Sequence, residues 1–176
     1  GWALAHGGRG RCEVDGPGGV THRLDLRDRS LRKLAASALQ SELFNRVLAR
    51  RLREGTLHRV FEGELCFKRD SGAVFLSDDT SREQARLDRA EISPTGPMWG
   101  PKMQRPGDAL AGFEREERDA LGLSEAAFAS LGALAAGTRR PLLVWPEALS
   151  ASADGDDVVV TFELPSGSYA TVLVHE

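Results

Sequence analysis

Between residues 31 and 53 apolar positions recur with a helical period. Leu34, Ala38, Ser41, Asn45, Leu48 and Leu52 fall on one stripe, and Leu39, Leu43 and Val47 on a second. This spacing predicts a long helix from Leu31 to about Arg53, covered on two sides, with Ser30 as its N-cap and Gly55 as its stop. Ser41 and Asn45 stand one turn apart on the otherwise apolar stripe. Buried there, each would cost about 1–3 kcal/mol without a partner. Two readings follow: the pair bonds the backbone of an adjacent element, or it holds a substrate-facing loop.

Beyond Val60 the period changes. Leu65 and Phe67 alternate with Cys66 and Lys68, and Asp70-Ser71-Gly72 turns the chain into Ala73-Val74-Phe75-Leu76, the pattern of a hairpin. Thr80 and Glu83 form a capping box before a short helix reaching about Ala90. The stretch Ser93–Met103 holds Pro94, Pro97 and Pro101 with Gly96 and Gly100. That composition excludes a helix and a central strand, and predicts a rigid loop with Trp99 plugging the core and Lys102 free for a ligand. Asp108 caps a helix Ala109–Leu121 closed by Gly122, and Ser124 caps a second, Glu125–Ala135, closed by Gly137. Thr138-Arg139-Arg140-Pro141 leads into a strand, Leu142–Trp145, and Ala151–Asp157 reads as a polar loop. Val158–Leu164 and Tyr169–Val174 read as antiparallel strands, buried on at least one face, about a Pro165-Ser166-Gly167-Ser168 turn. The first 21 residues include seven glycines and little to bury, so order is expected to begin near Asp28.

Composition narrows the class. The chain has 176 residues, 41% apolar and 28% charged, as in ordinary soluble globular proteins. No apolar run approaches a membrane span, and no leader resembles a signal peptide. Cys12 and Cys66 lie far apart, and His6, His22, His58 and His175 are scattered, so no zinc site or His-based nucleophile can be assembled. Reduced thiols fit a cytoplasmic protein. The net charge is −3, yet Arg23–Arg53 carries nine Lys and Arg against three Asp and Glu. Such a segment either tracks phosphates or is a solvated helix face. Tyr169, the one tyrosine of the chain, follows the last turn directly. It is either a core residue or a platform for a flat ligand such as a nucleobase, and the pattern alone favours the core.

Three stretches change that weighting. Ser168-Tyr169-Ala170-Thr171 behind Leu164-Pro165-Ser166-Gly167, Ser41-Glu42-Leu43-Phe44-Asn45, and Pro94-Thr95-Gly96-Pro97-Met98-Trp99-Gly100 occur in the order of similar motifs in the TruD family of tRNA pseudouridine synthases. From about Arg27 onward the chain resembles the C-terminal part of that family's length. The resemblance implies an α+β fold in three segments: residues 1–25 as a remnant or linker from a preceding part, 26–141 as the TruD-type inserted domain, and 142–176 as the C-terminal strands of the catalytic sheet. It implies an isomerase that converts a tRNA uridine, at position 13, to pseudouridine with one nucleophilic Asp, no metal and no cofactor. That Asp belongs to a motif N-terminal to the stretches matched. Asp28 and Asp70 are accounted for by capping and turn geometry, so no catalytic residue is assigned and the chain alone is expected to be inactive. Tyr169 matches the aromatic that lies against the target uridine. Ser41 and Asn45 become scaffold for the site, and Lys102 and Arg139 the candidate phosphate contacts. The implied partners are tRNA, held between the two bodies, and the missing N-terminal part of the same protein, with no membrane. The family's closing Arg-Glu is His175-Glu176 here. A non-catalytic RNA-binding module or a protein-interaction domain on the same scaffold are the alternatives.

Overall fold

The computed structural model describes residues 11–15, 21–25, 28–165 and 168. Its first elements lie where none was expected. β1 (Arg11–Asp15) and β2 (Thr21–Asp25) pair antiparallel, Cys12 opposite Leu24 and Val14 opposite His22. Glycine content over the whole segment concealed two short strands that contain no glycine themselves.

α1 spans Arg29–Arg53. Its cap is Asp28 rather than Ser30: the Asp28 carboxylate accepts from the amides of Ser30 at 2.7 Å and Leu31 at 3.4 Å. Burial follows the second apolar strip, with Ala36, Gln40, Leu43, Phe44 and Val47 inside. The first strip is open, Leu34 being 67% and Leu52 65% exposed. The expected burial of the polar pair therefore fails: Asn45 is exposed and Ser41 only half-buried.

The chain divides into two compact units: Gly1–Arg50 with Pro97–Arg105 and Ala111–Arg139, and Arg51–Gly96 with Pro106–Leu110 and Arg140–Glu176. In the first, Trp99 is the plug its loop predicted. Only 1% exposed, it packs with Leu43, Met103 and Phe128, its ring 6.2 Å from that of Phe128. α3 (Asp108–Ala120) ends at Gly122, whose φ of +69° suits a residue without a side chain. Ser124 caps α4 (Glu125–Leu131), accepting from the Ala127 amide at 3.2 Å. The helix was expected to reach Ala135. It stops instead at Gly132, φ +53°, and Gly132–Ala135 tightens into a 3-10 turn.

A four-stranded sheet is ordered β4 (Val74–Leu76), β3 (Leu65–Lys68), β5 (Ile92–Met98) and β6 (Thr138–Pro141), and the second unit holds β3, β4, the first part of β5 and the end of β6. β3 (Leu65–Lys68) and β4 (Val74–Leu76) form the expected hairpin, with Leu65 opposite Leu76 and Gly72 at φ +71°. α2 (Thr80–Asp88) is capped by Asp79, not by Thr80, and Glu83 does not reach back to the cap but is fully buried. Leu87 joins Val60, Cys66 and Ile92 in the core.

β5 (Ile92–Met98) overturns the expected loop, since it occupies an interior position of the sheet despite Pro94 and Pro97. Side-chain hydroxyls make this tolerable. On one side the Thr95 hydroxyl donates to the Leu65 carbonyl at 2.7 Å. On the other, the Leu142 amide reaches the Pro94 carbonyl at 2.9 Å, and the Leu143 amide the Ser93 hydroxyl oxygen, also at 2.9 Å. The prolines bring no N–H to the ladder, and the Thr95 hydroxyl supplies a donor to the Leu65 carbonyl in its place. The strand expected at Leu142–Trp145 lies earlier, as β6 (Thr138–Pro141). Leu143 bonds a side chain rather than the ladder, and regular pairing has ended by then.

The closing hairpin differs as well. Ala151–Asp157 is not a loop: β7 (Glu147–Asp154) pairs with β8 (Asp157–Glu163) about a turn containing Gly155, φ +64°. Ala151 lies opposite Val160 and Ala153 opposite Val158, which puts these four on one face. That face is open rather than buried, Val158 being 72% and Val160 50% exposed. The expected strand Tyr169–Val174 lies outside the described residues. The architecture is α+β, as expected.

Candidate functional site

Each unit is fastened by a buried ion pair. In the second unit Arg51 Nη1 donates to both Glu64 carboxylate oxygens at 2.9 Å, while Nη2 donates to the carbonyls of Thr56 at 3.0 Å and Arg59 at 2.6 Å. One guanidinium thus ties the end of α1 to the loop after it. In the first unit Arg139 forks onto Glu114, Nη2 to Oε1 at 2.7 Å and Nη1 to Oε2 at 3.0 Å, with both side chains almost wholly buried. Desolvation largely cancels the attraction in such pairs, so their worth is in fixing position; removing one partner strands the other's charge. Arg139 as a phosphate contact is therefore corrected: its fork is already occupied by a carboxylate, out of solvent.

Lys102 fares differently. The turn it sits on is pressed against residues 135–137. A side chain on Gly100 would collide with the Ala135 carbonyl, and a Cβ on Gly137, at φ +92°, would lie 2.7 Å from Gly100 Cα. The Lys102 amide donates to the Ala136 carbonyl at 2.7 Å, and Gln40 of α1 donates to the Trp99 carbonyl at 2.7 Å. Backbone contacts thus hold this turn on both flanks, while the Lys102 side chain is exposed. Arg105 and Arg118 stack on Trp99, their guanidinium carbons 4.6 and 4.9 Å from the ring centre. Arg105 is also paired to Glu125 at 3.0 Å, whereas the exposed Lys102 meets no carboxylate among the described residues.

The cations of α1 differ in their pairing, Arg51 meeting Glu64 and the exposed Arg53 no carboxylate among the described residues. Arg46 pairs with Glu42 and Glu117, and Arg50 with Glu116 and Glu117. Arg29, Arg32 and Lys33 are exposed and meet no carboxylate among the described residues. The first turn of the helix has no acidic residue. Cations at this end oppose the helix dipole, by about 0.3–1 kcal/mol each.

Cys66 and Asp70 are not placed to act as nucleophiles. Cys66 is fully buried, and burial, reinforced by Glu64 and Glu83, pushes its thiol up to about 12. The thiolate is absent at neutral pH. Asp70 is exposed in its turn, where the Ser71 hydroxyl holds its carboxyl below the usual carboxylate range. Among the described residues no cluster of His, Cys, Asp and Glu is arranged to hold a metal ion, and no helix is long and apolar enough to cross a membrane. Tyr169 lies outside the described residues. Sequence reasoning missed Gln40 and the two ion pairs. Gln40 lies on the same helical strip as Leu43 and Val47, and that polar residue on a core face was the available signal.

Comparison with known proteins bears on what this framework belongs to. The family model of tRNA pseudouridine synthase D (TruD) matches residues 15–176. The tRNA pseudouridine synthase D of Geobacter sulfurreducens is 47% identical over 147 residues, which cover 83% of this chain and 36% of that protein. Its counterpart in an Anaeromyxobacter species is 41% identical over 170 residues, covering 95% and 48%. The crystal structure of a protein assigned as tRNA pseudouridine synthase D (TruD) in Methanosarcina mazei superposes with a TM-score of 0.61 at 26% identity, over 77% of this chain and 35% of that one. The chain thus spans less than half the length of these relatives. It belongs to the TruD family of tRNA pseudouridine synthases.

Proposed function

We propose that this chain is the tRNA-binding C-terminal part of an isomerase that converts a uridine of tRNA, the one at position 13, to pseudouridine. The family match across residues 15–176 carries this reading. In the reaction the uridine glycosidic bond breaks and the base rejoins the ribose through C5. The nucleophilic Asp comes from the part of the family's length that this chain does not span. On this reading 26–141 form the TruD-type domain and 142–176 return to the catalytic sheet, with 1–25 joining them to what precedes. The open apolar face of the β7–β8 hairpin supports the second assignment, because an added layer of sheet would cover it. Tyr169 stacks on the target uracil, Lys102 contacts phosphate, and Ser41 and Asn45, on an exposed face of α1, support the neighbouring part of the site. The site of action is the cytoplasm.

The test is a chimaera in which the N-terminal portion of the Geobacter sulfurreducens relative precedes this chain. Incubated with unmodified tRNA, the chimaera forms carbodiimide-detectable pseudouridine at position 13, and this chain alone forms none. Turnover by the chain alone would overturn the division of labour, and an inactive, folded chimaera would overturn the activity. Tyr169→Phe in the chimaera retains most turnover, whereas Tyr169→Ala loses about 1–3 kcal/mol of substrate interaction at unchanged melting temperature. A Phe variant as inactive as the Ala variant would assign the role to the hydroxyl.

A further inference from the structure

The face of α1 that is buried from Ala36 onward, through Gln40, Leu43 and Val47, continues toward the start of the helix as Arg29, Arg32 and Lys33. Their i, i+3, i+4 spacing sets the three side chains beside one another, roughly 5–6 Å apart at Cβ. All three are exposed and none has a carboxylate partner among the described residues, although the same helix neutralises Arg46 and Arg50 on Glu116 and Glu117. The Asp28 carboxylate is engaged with the Ser30 and Leu31 amides, and no acidic residue occupies the first turn. Like charges packed at the positive end of a helix repel one another and oppose the dipole, and an external anion relieves both. Surface packing does not require cations here, since the apolar cluster begins only at Ala36.

We propose that Arg29, Arg32 and Lys33 form a phosphate-binding ledge that holds the tRNA backbone. The proposal rests on the tRNA-binding reading above and names a surface for it. Because the ledge reads phosphates rather than bases, it sets affinity and position and leaves the choice of uridine to other residues.

The experiment measures binding of unmodified tRNA to this chain by fluorescence anisotropy across a salt series, with circular dichroism and melting to verify folding. Wild type is compared with R29Q/R32Q/K33Q, with each single variant, and with R53Q/R59Q/R115Q, a control of equal charge change at exposed positions elsewhere. Neutralising one phosphate-binding cation flattens the slope of log affinity against log salt by about 0.7–0.9, so the triple variant flattens it by about 2–3 and binds at least about tenfold more weakly at moderate salt. The single variants each account for about a third of the slope change, so the result does not depend on the triple variant folding. An unchanged slope in folded ledge variants, with wild type binding tRNA, overturns the ledge and leaves the proposed function standing. Equal weakening in the control variant also overturns it, by showing that net charge alone is at work. Failure of wild type to bind tRNA overturns the tRNA-binding reading and the ledge with it.

Discussion

Arg139 and Asn45 exchange the roles their sequence settings suggested, and the consequences can be measured. Arg139 lies next to Arg140 in a segment that reads as basic and accessible, yet its fork is closed on Glu114. Arg139→Met leaves the Glu114 carboxylate buried without its counter-charge and costs about 3–5 kcal/mol, while the double change with Glu114→Met is close to neutral. Thermal melts of the three proteins decide this, and an unaffected single variant would show that the pair is not desolvated. Asn45→Leu, at an exposed position, shifts stability by less than about 0.5 kcal/mol. Cys66 makes a complementary prediction. Its thiol is held at about 12 against a usual value of 9.0, so the native chain carrying Cys12→Ser resists iodoacetamide between pH 7 and 9 and reacts only once unfolded. A folded-state pKa above the unfolded one gives stability that is complete below pH 9 and is lost as pH rises from there toward 12. Ready alkylation of the native protein would refute the burial. Residue types gave the apolar strip of Leu43 and Val47 and the Trp99 plug. They could not give which of several arginines meets a carboxylate, because that depends on residues far apart in the chain.

At the scale of elements, the local signals that agree with the structure are those whose physics is local. The Asp70-Ser71-Gly72 turn, the Ser124 cap and the Gly122 stop each act within a few residues, and each stands where the sequence put it. β5 departs from the expected loop because the rule against proline in an interior strand assumes a purely backbone ladder. Ser93 and Thr95 bring hydroxyls to the two sides of that strand, a tertiary compensation that a window of sequence does not display. β7 is concealed because its Ser and Ala alternation has little hydrophobic contrast, and because the apolar pattern offers β8 a partner downstream, at Tyr169–Val174, rather than upstream. Gly137 shows how closely two loops depend on one another. Gly137→Ala combines an unfavourable positive φ with a collision against Gly100 Cα, whereas Gly122→Ala, with open space around it, bears the backbone strain alone. The expected loss is about 1–2 kcal/mol for Gly122→Ala and clearly more for Gly137→Ala, read from denaturant midpoints. Equal losses would mean that the two loops separate at little cost.

At the scale of the whole molecule, the β7–β8 hairpin is the element least explained by the chain it sits in. Ala151, Ala153, Val158 and Val160 share a face with β-branched residues at two of its four positions, yet Val158 and Val160 stay open to solvent. A two-stranded ribbon with an uncovered apolar face is marginal on its own, because it removes little surface from water. If residues 142–176 complete a catalytic sheet, that face becomes interior once the rest of the sheet is present. The substitution pair Val158→Asp and Val160→Asp separates the two conditions. In this chain alone both positions are exposed, so the melting temperature changes little. In the chimaera with the Geobacter sulfurreducens N-terminal portion, two carboxylates would be forced into an apolar layer without partners, and both the melting temperature and pseudouridine formation fall sharply. Equal destabilisation in both proteins would mean that the face is already covered within this chain. No effect in either would mean that the hairpin stays outside the sheet, and the assignment of 142–176 to the catalytic domain would then be wrong.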